Sequence, residues 1–245
     1  LCVHEKYFFD AAPLLLYFAK VEKTTWNNGA KSHFYGLFNI ILSSTEVPLE
    51  KQMAVLDEGK IWFGPENEHL IIEALGEALN NSHFTGDGNV QIQGGKFAVQ
   101  DYAPRTYGEI REYFRKALLM LMEYVRSGNE LADKARDEIA SHFRDIFRVG
   151  MLQDIITIVQ ENISLRGRYW SEASGRIQDI VNYDVPENAS AEKNALSQLQ
   201  DELVPSDLPE QMRIYVTESP WWDPDPKIIG DTVEDSGDRK AAEFA

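Results

Sequence analysis

"RTYGEIREYFRKALLMLMEYVRSGN", Arg105–Asn129, is the stretch whose reading decides the fold. Tyr107, Ile110, Phe114, Ala117, Leu118, Leu121 and Val125 recur at steps of three and four, which lines them along one face of an α-helix. Thr106 and Glu109 have the T-x-x-E spacing of a capping box, in which hydroxyl and carboxylate each satisfy a backbone N–H that the first turn leaves open. Gly128 supplies a stop, because glycine enters the left-handed cap without steric cost.

The same grammar extends in both directions. Upstream, "DAAPLLLYFAKVEK" predicts a helix capped by Asp10, with Pro13 in its first turn and Ala11, Leu14, Leu15 and Phe18 on one face. "SHFYGLFNIILSS" (residues 32–44) predicts another, with Phe34, Leu37, Phe38, Ile41 and Leu42 in helical register. Pro48 and Pro65 open two more. Downstream, Asn129 caps a helix carrying Leu131, Ala135, Ile139, Phe143 and Ile146 as far as Gly150. "MLQDIITIVQENI", "YWSEASGRIQDIVNY" and "AEKNALSQLQDELV" continue the pattern, and Ser206 starts "DLPEQMRIYV".

The helices pair, with pairs starting near residues 10, 48, 106, 150 and 190. Once the non-helical insertion at 84–105 is set aside, the step is roughly 40 residues, the period of HEAT-like arrays. The expectation is an all-α, HEAT-like superhelix of about five helix pairs over residues 1–217. In the insertion, "NVQIQ" and "KFAVQ" alternate around Gly94-Gly95 and predict a short β-hairpin. From Glu218 onward there are eight acids and three bases with no period, which predicts an acidic irregular segment leading into a further helix. A start at Leu1 and a stop at "GDRKAAEFA" read as a chain cut at both ends.

Composition narrows the function. The chain has 245 residues and a formal net charge of −16, a field that repels phosphate backbones and anionic membranes. A single cysteine, Cys2, rules out an intrachain disulfide and suits a reducing cytoplasm. Lys96 follows Gly95 but precedes Phe97, so the Ser or Thr that a phosphate-binding Walker loop needs for magnesium is missing. "DGNVQ" lacks the alternating oxygen ligands of a calcium loop. None of the five histidines stands three or four residues from another histidine or cysteine, so no zinc pattern exists. No G-x-S-x-G elbow occurs, and Cys2 has no local base. The expectation is no catalysis, no cofactor and no metal in this segment.

Two stretches can face a partner. The polar side of the hairpin offers Gln91, Gln93, Lys96, Gln100 and Asp101. "LRGRYW" offers Arg166, Arg168 and Trp170, which can stack on a ligand or lie over a helix junction.

"FAKVEKTTWNNGAKSHFYGLF", "TEVPLEKQMAVL", "EALGEALNNSHFTG" and "PRTYGEIREYFRKAL" come in an order that resembles the helical-repeat region of large bacterial STAND-type NTPases. The specific pieces are Trp26-Asn27-Asn28, His83-Phe84 and Thr106-Tyr107-Gly108-Glu109, within a likeness over roughly residues 5–225. Many proteins of that family look like anti-phage or stress-defence sensors. The resemblance implies a cytoplasmic sensor or scaffold segment that binds a protein partner or the rest of its own polypeptide. It carries over no catalytic residue. A stand-alone α-solenoid adaptor and a helical enzyme of another kind are the alternatives.

Overall fold

The computed structural model describes residues 1–23, 29–60, 62, 64–81 and 101–204. These residues are helical, with no strand among them. No helix among them is long and apolar enough to cross a membrane. Two compact units divide the chain at Ile158/Val159. The predicted hairpin and the predicted boundary at 217/218 lie outside the described residues.

The first unit contains α1 (Glu5–Val21), α2 (Ala30–Gly36), α3 (Leu49–Gly59), α4 (Glu68–Leu79), α5 (Tyr107–Ser127), α6 (Ala132–Ser141) and α7 (Phe143–Arg148). α8 (Leu152–Arg166) begins in it. α4 is the centre. Leu70, Ile71, Ile72, Ala74, Leu75, Ala78 and Leu79 are all fully buried, so the apolar face covers more than half of the helix. α2, α3, α5 and α6 each pack on it.

α5 follows its sequence closely. Thr106 Oγ1 accepts a hydrogen bond from the Glu109 N–H (3.2 Å), and the Glu109 carboxylate accepts one from the Arg105 N–H (3.0 Å). Tyr102 donates its hydroxyl to the same carboxylate. Gly128 takes φ +63° as expected. Beyond it, Asn129 Oδ1 accepts from the Leu131 N–H (2.9 Å).

Three expectations are corrected. First, α1 starts at Glu5, not after Asp10, and carries Pro13 in its interior. Burial of Phe8, Ala12, Leu16 and Ala19 rewards the longer helix despite the N–H that Pro13 lacks. Second, the helix expected over 32–44 ends at Gly36, and Phe38–Pro48 is irregular but partly buried, with Phe38, Ile40, Ser43, Thr45 and Val47 inside. Leu42 and Ser44 are left-handed, with φ of +58° and +53°. Buried irregular backbone needs external partners, and side chains supply them. Tyr113 Oη lies 2.9 Å from the Phe38 carbonyl and 3.1 Å from Gln52 Oε1, and Gln52 Nε2 donates to the Val47 carbonyl (2.8 Å). Thr45, fully buried, donates its hydroxyl toward the Cys2 and Val3 carbonyls (2.9 and 3.2 Å), while its own carbonyl accepts from the Tyr102 N–H (2.7 Å). Third, the helix expected from Asn129 to Gly150 breaks at His142 into α6 and α7.

The second unit, described by itself, holds the end of α8, then α9 (Ser171–Asp179), a π-helical turn (Ile180–Asp184) and α10 (Ser190–Leu203). Val185 N–H donates to the Ile180 carbonyl (3.0 Å), the i to i+5 bond that widens this turn. Ala173, Ile177 and Ile180 are buried here, as are Leu196, Leu199 and Leu203 of α10. Gln200 Nε2 donates to Gln178 Oε1 (2.9 Å), tying α10 to α9.

Candidate partner-binding surface

α1 has a second apolar face. At about 100° per residue, Tyr7, Leu14, Tyr17, Phe18 and Val21 fall on one stripe, opposite the buried Phe8, Ala12, Leu16 and Ala19. Each residue of the stripe is at least 41 % exposed, and Leu14 and Phe18 reach 56 and 57 %. A helix that needed only one apolar face to fold would place polar residues here. Contiguous exposed apolar surface marks a place where something docks.

The charges on this face are sparse and ordered. Asp10 stands exposed within the stripe, between Tyr7 and Leu14. Lys6 is exposed at one end, its ammonium 5.2 Å from the Tyr7 ring centroid, and Lys23 is exposed just beyond the other end. Lys20 reaches Glu66 at 2.7 Å, holding α1 to the segment before α4. Glu5 pairs with Lys51 of α3. Both ends of α1 are therefore anchored, and Leu14 and Phe18 on its outer face are more than half exposed.

A charged ribbon crosses the first unit elsewhere, over α2, α4, α6 and α7. Tyr35 of α2 donates its hydroxyl to Glu73 of α4, and Lys134 of α6 pairs with the same carboxylate. Burial alone would raise the Glu73 pKa, but the Lys134 and Tyr35 bonds outweigh it and hold the carboxyl below its usual range. The Tyr35 phenol is pushed up, by burial first and then by the Glu73 bond. At the α6/α7 break, His142 Nδ1 lies 3.3 Å from Asp145 Oδ2, and its Nε2 lies 3.5 Å from Glu138 Oε1. Burial opposes its protonation, yet the bonds to Asp145 and Glu138 overcome that and raise its pKa to about 9. The ribbon fixes helices to one another.

Among the sequence-predicted partner residues, Gln91, Gln93, Lys96 and Gln100 lie outside the described residues. Asp101 is half-buried beside Tyr102. Arg166 is half-buried and Arg168 exposed, at the end of α8 and in the turn after it. Trp170 is 3 % exposed, so its ring is buried and offers no platform at the surface. The sequence pattern sets Leu14 and Phe18 on one helix face with Ala11 and Leu15, whereas in the structure Ala11 is buried and Leu14 and Phe18 are exposed. The signal that could have placed them outside was available, because Phe8, Ala12, Leu16 and Ala19 form a complete apolar stripe of their own. Among the described residues, no group of three or more His, Cys, Asp or Glu is arranged to hold a metal ion.

No family model, curated protein or solved structure matches this chain.

Proposed function

We propose that this chain is a protein-recognition segment that docks an amphipathic helix of a partner protein on the outer face of α1. The observation that carries the reading is the exposed stripe of Tyr7, Leu14, Tyr17, Phe18 and Val21. Its i, i+3, i+4, i+7 spacing is the spacing of helix-on-helix recognition. The charges specify the partner: a basic residue opposite Asp10, and carboxylates opposite Lys6 and Lys23. A second copy of α1 fits poorly. An antiparallel pair centred on Leu14 would bury Asp10 against Phe18, and a parallel pair would set Asp10 against Asp10.

The resemblance to STAND-type helical repeats supports the wider setting: a segment of a larger bacterial signalling or defence ATPase, its helix pairs stacked in HEAT-like fashion. A P-loop and a Walker B aspartate encoded upstream in the same gene are expected, and an upstream coding region with neither would remove that setting.

The docking face itself is tested with two designed peptides. One is an amphipathic helix with a leucine stripe, a central arginine and glutamates at both ends. The other has the same stripe with a central glutamate and lysines at both ends. Fluorescence anisotropy is expected to show the first binding at least tenfold more tightly. Phe18→Glu should abolish it, and Asp10→Lys should weaken the first peptide and narrow its advantage over the second. Equal binding of both peptides, or binding indifferent to Phe18→Glu, defeats the reading.

A further inference from the structure

We draw no further inference here: the strongest candidate, the fully buried Asn162 in the second-unit part of α8, whose side-chain amide makes no hydrogen bond among the described residues, carries nothing because nothing in the structure shows what ligand or partner would reach it.

Discussion

The carboxylate of Glu138 lies on the backbone of Gly76, in the space that a Cβ at residue 76 would occupy. That contact joins α6 to α4 and places Glu138 Oε1 on His142. Gly76→Ala therefore forces Glu138 to swing away. The helix gains about 1 kcal/mol in propensity, and the His142 pair is lost. Net stability is expected to change by less than about 1 kcal/mol. The His142 pKa, followed by NMR titration of the imidazole, should fall from its raised value of about 9. A variant whose histidine titrates as before would show that Glu138 does not hold it.

The same histidine makes stability depend on alkaline pH. Its folded pKa of about 9 exceeds the ordinary 6.5, so the folded state binds the proton more tightly than the unfolded one. The contribution is fully present below about pH 6.5 and is lost as pH rises through about 9. It amounts to at most about 3.4 kcal/mol, the difference between about 9 and 6.5 taken at about 1.36 kcal/mol per pH unit. Urea unfolding between pH 6 and 10 is expected to show this loss, and His142→Gln should flatten the profile over that window. An equal loss in the variant would assign the pH dependence to other groups.

Tyr113 holds the irregular loop from below. Its hydroxyl is buried between the Phe38 carbonyl and Gln52, and burial pushes its pKa up. Tyr113→Phe leaves the carbonyl without that donor and is expected to cost about 1–3 kcal/mol. The native far-ultraviolet spectrum should be kept, since α5 itself loses no apolar contact. A change under about 0.3 kcal/mol would mean that water replaces the hydroxyl there.

Ser44 tests the strain in the irregular loop between α2 and α3. At φ +53° a glycine sits without the steric cost that serine bears. Ser44→Gly is expected to raise stability by about 0.5–1 kcal/mol, and Ser44→Val to lower it by more than that. If both lower the urea midpoint equally, the side chain and not the backbone governs this position.

The α-helical class and the course of α5 were determined by the sequence itself. Thr106, Glu109 and Gly128 mark their ends by chemistry that acts within one turn, and the apolar period between them is local. The same holds for the Gly150 stop. Tertiary structure decided the rest. Nothing local distinguishes Ile41 and Leu42 from helix formers; α2 stops at Gly36 because Tyr113, Gln52 and Thr45, remote in sequence, satisfy the loop's backbone. Nothing local makes α4 the centre either, since a helix with so broad an apolar face must be buried but does not name its neighbours. α1 carries apolar residues on two faces, and packing against the first unit consumed only the one with Phe8, Ala12, Leu16 and Ala19. Which face is left to a partner is a property of the assembled helices, because burial belongs to pairs of surfaces and the sequence states only one member of each pair.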